Sequence, residues 1–493
     1  MPLSSLSCVA RVPANHAHRL RGQNAAPHYQ ERHLTTNAAV GERITSSREA
    51  STSHDREPHA AYVHLPFCKR KCLYCDFPVV ATGSRLTSPE VQDSMKAYVD
   101  TVIQEIRAST QLTDQPLQTV FFGGGTPSLI PPKQLDQIIK ALDRRFGIAS
   151  GAEISMEADP GTFDAERLRE YMALGLSRFS IGVQAFQEEL LEVCGRSHSL
   201  YDVYKALEAV HSAAPPSWSL DLISGLPHLN EDTWRKSLEC ALDAGPPHIS
   251  IYDLQVEDKT PFAKKYTIDV KPLPSSESGA EMYCDASSVL RAAGYEHYEV
   301  SNYARPGHRC KHNEVYWKGD EPYYAFGLGA ASYLRSRRFS RPGQMIAYRK
   351  WVSQFATSGV GFAGSAADDQ GKEDEMLDIV MLRLRTADGL DLGDFGERFG
   401  SGAVRAVKKA LDPHEQAEPA CAAKCSLTAA VYALDNISSG AMLLTQPMPY
   451  CGGGVESKSE SGLRLGLILL RAVIFVRIDR DGSLRRRTRY MSS

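Results

Sequence analysis

The 493-residue chain has no excess of either charge: 56 Lys and Arg stand against 59 Asp and Glu, a formal net charge of −3. Nucleic-acid binders usually carry a basic surplus, so no nucleic-acid partner is expected. The chain also lacks an apolar run of about 18 residues, the length that a membrane-spanning helix needs. Its longest apolar stretch, Leu465 to Ile478, is interrupted by Arg471 and Arg477. No transmembrane segment is therefore expected, while peripheral membrane contact stays open. The eleven cysteines are too sparse for a disulfide scaffold, and their number is odd. Residues 1–30 have no Asp, Glu or Lys, but carry Arg11, Arg19, Arg21 and several serines. That is the composition of an organelle transit peptide, for mitochondrion or chloroplast, without the apolar core of a secretory signal. If this leader is not an address, a cytoplasmic protein is expected. No internal repeat is visible. What is present, 42% hydrophobic and 23% charged residues, suffices for a sizeable core.

From Ala60 onward short apolar runs alternate with longer amphipathic ones. Strands are predicted at 60–65, 118–122, 152–157, 177–182, 218–223 and 248–253, and helices at 88–108, 132–146, 163–174, 200–213 and 231–243. In the first helix Met95, Val99, Val102, Ile103 and Ile106 recur at helical spacing. Strand and helix alternating in this way imply a parallel sheet, because parallel neighbours need a crossover element. Six units are too few for a closed eight-stranded barrel, so a partial barrel follows, with its chemistry at the carboxyl ends of the strands. A further helix and a strand at 297–303 are expected next, then a helical stretch over 372–400. The expected organisation is a leader and linker over 1–58, the barrel over 59–260 and an extension over 261–345. A helical region over 346–416 and an atypical tail over 417–493 complete it.

Cys68, Cys72 and Cys75 form one tight trio directly after the first strand. An odd total with one such trio reads as a ligand set in a reducing compartment. Thiolates suit zinc, Cu(I) and iron–sulfur clusters. Spacing alone leaves a zinc-stabilised binding module and a four-iron cluster both open, with His64 a poorly placed fourth zinc ligand. Three thiolates on a four-iron cluster leave one iron free for a ligand that is not protein. GGGTP (Gly123 to Pro127) follows the second strand, and later strands end in polar residues: Glu157, Gln184 and Asp221, with Arg196 just beyond. Together these would converge on the mouth of one barrel, as a polar ligand demands.

YVHLPFCKRKCLYCDF, FFGGGTPS, MEADPGTF, IGVQAFQ, GR and DLISGLP occur in that order along the chain. This combination resembles the radical S-adenosylmethionine (radical SAM) enzymes, and within them the oxygen-independent coproporphyrinogen III oxidase-like branch, over about residues 60–400. The resemblance implies an α/β partial (β/α)6 TIM-like barrel with a smaller, mainly helical C-terminal region. It implies that Cys68, Cys72 and Cys75 hold a 4Fe-4S cluster. It also implies that Tyr62, Gly124, Gly125, Thr126, Glu157, Gln184, Arg196 and Asp221 contact S-adenosylmethionine, with Tyr74 in the cofactor region. The branch holds both oxidases and haem chaperones. Oxidases carry a further cysteine where this chain has Phe77, and HNEVYW (His312 to Trp317) matches the HNxxYW motif of the chaperones. The chaperone reading is therefore expected: haem is cargo, passed to a haem-acceptor protein. His312, Asn313, Tyr316 and Trp317 are its haem-binding residues on this resemblance, and a flavodoxin or ferredoxin is the electron donor. An imidazole is a good axial ligand and aromatic rings pack on a porphyrin face. Cys310 is a rival ligand, ahead of His308 and His297. The alternative is oxidative decarboxylation of coproporphyrinogen III. The Cys421/Cys425 pair and the basic end RRRTRY (485–490) are assigned no role.

Overall fold

The first strand, AAYVHL (β1, Ala60–Leu65), is buried along its whole length, as a strand covered on both faces must be. In the computed structural model the described residues are 56–335, 337–358, 372–415 and the backbone pairs 477–478 and 484–485. Expectations for the leader before residue 56, for the Cys421/Cys425 pair and for the basic end lie outside them.

Five further strands run parallel to β1: β2 (Leu117–Gly124), β3 (Ile148–Ala158), β4 (Arg178–Gln184), β5 (Ser217–Ser224) and β6 (His248–Asp253). They lie side by side in chain order. The crossovers are α1 (Pro89–Ala108), α2 (Pro132–Phe146), α3 (Ala165–Ala173), α4 (Glu188–Cys194), α5 (Leu200–Ala213) and α6 (Glu231–Ala244). Local chemistry sets their starts. Ser88 accepts from the amide of Val91 at the head of α1, with Pro89 in the first turn. Ser199 and Asp202 form a reciprocal capping box on α5. In α1 the predicted apolar stripe is the buried face, with Met95, Val99, Val102, Ile103 and Ile106 against the sheet.

Two strands after α7 (Ser276–Ala292) extend one edge: β7 (Glu296–Glu299) and β8 (Asn302–Ala304), where β8 runs antiparallel to β6. The single strand expected over 297–303 is thus a tight hairpin. Its turn is tied by the Glu299 carboxylate, which accepts from the Ser301 amide and the Asn302 side chain. After the short helix α8 (Lys311–Lys318), strand β9 (Tyr324–Phe326) returns to pair parallel with β1 at the opposite edge. The nine-stranded order is β9-β1-β2-β3-β4-β5-β6-β8-β7, and its two edge strands are not paired to one another. The sheet is an open, partial barrel, as the strand count predicts.

The chain continues as α9 (Met345–Ser358), α10 (Lys372–Leu384) and α11 (Leu392–Glu415). The helix expected over 372–400 is therefore two helices parted by a turn, in which Gly389 takes a φ of +69°. Gly400 interrupts α11 with a φ of 85°.

Alternation along each strand separates two environments. Val120, Phe122, Ile154, Met156, Phe179, Ile181, Leu220 and Leu222 belong to the large apolar core that also takes in the helices. The alternate positions, among them Ser155, Glu157, Ser180, Ser219, Asp221 and Ser250, line the inside of the barrel.

Candidate functional site

The cysteine loop leaves the carboxyl end of β1, and its three thiols are free. Thr82 bonds back to the carbonyl of Cys68, and the amide of Cys75 donates to the carbonyl of Cys72, folding the loop on itself. Lys69 Nζ donates to Gly161 O at 2.6 Å and Lys71 Nζ to Phe77 O at 3.0 Å, pinning the loop from both sides. The amide of Leu73 donates to Cys194 O at 2.9 Å, seating the loop on the turn after α4.

Burial pushes the Cys68 thiol up to about 12 and the Cys75 thiol up to about 11. Cys68 and Cys75 are thus not low-pKa thiols in the loop as folded here. Burial penalises thiolates, so a metal centre must displace the protons as it binds. Among the described residues no three His, Cys, Asp or Glu side chains gather around the position of one ion. His64 does not complete a zinc set, because its Nδ1 meets Tyr62 Oη at 3.1 Å and its Nε2 meets Pro78 O at 3.0 Å.

Arg196 joins the loop to the polar strand ends. Its Nη1 donates to Cys72 Sγ at 3.2 Å and to Tyr74 Oη at 3.0 Å, and its Nη2 donates to Gly182 O at 3.1 Å. The same Nη2 pairs with Asp159, a residue that the sequence reading passed over. Thr126 Oγ1 lies 3.5 Å from Cys68 Sγ. Glu157 Oε2 accepts from the Gly124 amide at 3.0 Å. The structure therefore brings together Cys68 with Thr126, Cys72 with Tyr74 and Arg196, and Gly124 with Glu157.

The glycines have a packing reason. A side chain on Gly124, whose φ is +114°, would meet the His64 ring, and one on Gly125 would meet the backbone of Pro66. Polar atoms remain to be satisfied here. Arg196 Nε and Gln184 Oε1 are buried without hydrogen-bond partners, and Gln184 holds a φ of 69°. Buried unpaired groups and a non-glycine at positive φ cluster at ligand sites. The residues present thus fit a polar ligand beside the thiols.

Below this mouth the barrel encloses a chamber lined by Glu157, Asp221, the serines 155, 180, 219 and 250, and Tyr252. Its far end is closed by Arg178 and His248, the first residues of β4 and β6, and by Cys310 and Asn313. Burial raises the Glu157 carboxyl to about 8, against the opposing bond from Gly124. Burial also raises Asp221 to about 6, with Ser180, Ser250 and Arg178 pulling the other way. Arg178 and His248 were not singled out from the sequence. The available signal was the polar residue at every second strand position (Arg178, Ser180; His248, Ser250), which marks a polar inner face.

The HNxxYW segment forms α8 and plugs the amino-terminal end of the barrel, opposite the cysteine loop. Glu153 accepts from the His312 amide at 3.2 Å, a carboxylate on a helix N-terminus. His312 is fully buried, with Nδ1 2.8 Å from Thr119 Oγ1 and Nε2 2.8 Å from Tyr316 Oη. Its ring stacks on Phe121 with centroids 5.2 Å apart. Burial lowers the imidazole to about 3, so it is neutral. Thr119 lies near the start of β2 and Gly124 at its end, about 16 Å apart at roughly 3.3 Å per residue. The motif and the thiols are therefore not one site, although Asn313, with a buried and unpartnered Oδ1, faces the shared chamber. Trp317 packs near Tyr283 and Val300, with the Arg385 guanidinium 5.3 Å above its ring. Of the rival ligands, Cys310 is buried beside Glu153, His308 meets Ser217 Oγ at 3.0 Å, and His297 is buried in a stack with Tyr303.

Residues 62–241 match the Radical SAM superfamily and residues 371–418 the HemN C-terminal domain. The chain is similar to the protein named heme chaperone HemW of Synechocystis sp., at 46% identity over 68% of this chain and 79% of that one. It is 33% identical to the Bacillus subtilis protein of the same name, over 69% and 87%. The mouse protein named radical S-adenosyl methionine domain-containing protein 1, mitochondrial, is also 33% identical, over 67% of this chain and 74% of its own. The solved structure of coproporphyrinogen III oxidase (HemN) from Escherichia coli superposes with a TM-score of 0.62 at 22% identity. It covers 74% of this chain and 85% of that one, which shows a shared fold.

Proposed function

Because this chain belongs to the haem chaperone HemW family of radical SAM proteins, we propose that it holds a four-iron cluster and S-adenosylmethionine at the barrel mouth and carries haem as cargo to an acceptor protein. Cys68, Cys72 and Cys75 are the cluster ligands in this reading. Tyr62, Tyr74, Gly124, Gly125, Thr126, Glu157, Gln184, Arg196 and Asp221 surround S-adenosylmethionine. The cluster supplies one-electron chemistry and an open iron, and three thiols leave that iron free. The observation that carries the reading is Arg196. One guanidinium spans the Cys72 sulfur and the polar strand ends while its Nε stays unsatisfied. A ligand beside the thiols gives that nitrogen its acceptor.

Haem, in this proposal, engages the HNxxYW helix at the far end of the barrel, with His312 as axial ligand and Tyr316 and Trp317 against the porphyrin. His312 Nε2 takes up iron only when the Tyr316 hydroxyl leaves it, so loading includes a local opening of α8. An organelle as the place of action and a flavodoxin or ferredoxin as electron donor belong to the same proposal.

The test is the anaerobic iron, sulfide and haem content of the purified chain against a variant with Cys68, Cys72 and Cys75 changed to Ala. Loss of non-haem iron and sulfide with retention of stoichiometric haem is expected, and haem loss is expected in His312→Ala. Vinyl products from coproporphyrinogen III, S-adenosylmethionine and a strong reductant would overturn the chaperone reading in favour of the oxidase. A parent chain that holds no non-haem iron and no sulfide would overturn the cluster.

A further inference from the structure

Asp159 follows the last residue of β3, and its backbone is fixed on two sides. Its amide donates to Ser128 Oγ at 3.2 Å, and its carbonyl accepts from Thr162 Oγ1 at 2.6 Å. Its carboxylate turns toward the cysteine loop. Oδ1 pairs with Arg196 and lies 3.3 Å from His198 Nδ1, and Oδ2 accepts from Ser197 Oγ at 3.3 Å. The Arg196 and Asp159 side chains are only 9% and 13% exposed, so little solvent screens the pair. The guanidinium is rigid and planar. Fixing its Nη2 edge with Asp159 and Gly182 O therefore fixes where Nη1 points, which is at Cys72 Sγ.

The backbone around this corner is equally determined. Leu73 donates to Cys194 O, and Gly195, at a φ of +68°, leaves no room for a side chain beside Leu73. Cys72 thus receives one charged donor from a fixed direction, and neither Cys68 nor Cys75 has a charged donor among the hydrogen bonds of the described residues. A donor on a cluster sulfur stabilises the more negative, reduced state and raises the reduction potential.

We propose that Asp159 is a positioning residue for the iron–sulfur site: it fixes the Arg196 guanidinium against the sulfur of Cys72 and thereby sets the reduction potential of that site. The proposal rests on the reading of Cys72 as a cluster ligand. Asp159→Asn removes the charge that anchors Arg196 at nearly constant volume, whereas Asp159→Glu restores the charge on a longer arm.

The experiment loads the full-length parent and both variants with iron and sulfide anaerobically. It then measures iron content and follows reduction by electron paramagnetic resonance in a potentiometric titration. The expected result is a lower potential for Asp159→Asn at parental iron content, moved back toward the parent in Asp159→Glu. A merely structural role changes iron content or melting temperature and leaves the potential where it was, and that outcome overturns the proposal. If Asp159→Asn loads no iron, Arg196→Lys serves instead, since it keeps Asp159 and the charge but loses the fork. Its potential is expected to fall, and an unchanged potential overturns the proposal. A parent that binds no iron refutes the cluster reading itself, which is a different failure.

Discussion

His312 Nδ1 and Thr119 Oγ1 lie 2.8 Å apart at the amino-terminal end of the barrel, while the other imidazole nitrogen is taken by Tyr316. A histidine bonded at both nitrogens inside a core is held, not offered. Tyr316→Phe removes the competitor for Nε2 and leaves the ring stack in place. If His312 is the haem ligand, this variant binds haem about 2- to 10-fold tighter, the equivalent of one hydrogen bond at roughly 0.5–1.5 kcal/mol. Soret absorbance on haem titration checks it, and unchanged affinity counts against His312.

Glu157 and Asp221 give a pH signature. Burial holds Glu157 at about 8 and Asp221 at about 6, above the ordinary 4.5 and 3.8. Groups whose folded pKa is raised stabilise fully below the unfolded pKa, and that contribution is lost as pH rises through the folded value. Their contribution is lost from about pH 4 to pH 8, while buried His312, lowered to about 3, adds stability in the opposite sense up to about pH 6.5. The melting temperature of the metal-free protein should therefore fall from about pH 7 to pH 8. Glu157→Gln should flatten the upper part of that decline. Thermal melts across the range decide it, and an unaltered slope in the variant would contradict the assigned environment of Glu157.

Gly124→Ala tests whether the glycine loop is built by packing. The new methyl meets the His64 ring and the residue stays at a φ of +114°. Strain and overpacking together should cost roughly 2–4 kcal/mol, read from urea unfolding of the metal-free protein. A near-neutral result would mean that the glycines serve ligand approach alone.

Glu105 joins α1 to the segment after β9. Fully buried, it accepts from Arg341 Nε at 2.7 Å, from Tyr348 Oη at 2.6 Å and from the Gly327 amide at 2.9 Å. Glu105→Gln leaves the Arg341 charge buried and unpaired, with an expected loss of about 3–5 kcal/mol in chemical denaturation. A loss below about 1 kcal/mol would show that the pair is screened, as surface pairs are.

Much of the frame was legible along the chain because it is local. Strand runs at 60–65 and 248–253 and helices at 132–146 and 200–213 coincide with the observed elements. Caps such as Ser88 and Ser199 and the apolar stripe of α1 act within a few residues of themselves. The hairpin at 296–304 looks like one strand along the chain because its turn depends on a buried carboxylate, Glu299, whose burial the local sequence does not reveal. The role of Asp159 is hidden in the sequence for a related reason. Within MEADPGTF it looks like a turn residue, and only the fold carries Arg196 to it across the barrel mouth.

Periodicity, capping chemistry and the CxxxCxxC trio, all short-range properties, determined an open parallel barrel with three thiols at the end of its first strand. Two matters needed tertiary structure. One is that the HNxxYW helix seals the far end of the barrel with both His312 nitrogens engaged. The other is that burial raises the Cys68 and Cys75 thiols instead of lowering them. Hydrogen-bond partners and desolvation are supplied by residues distant in the chain, and the chain order of residues does not encode which of them will surround a given group.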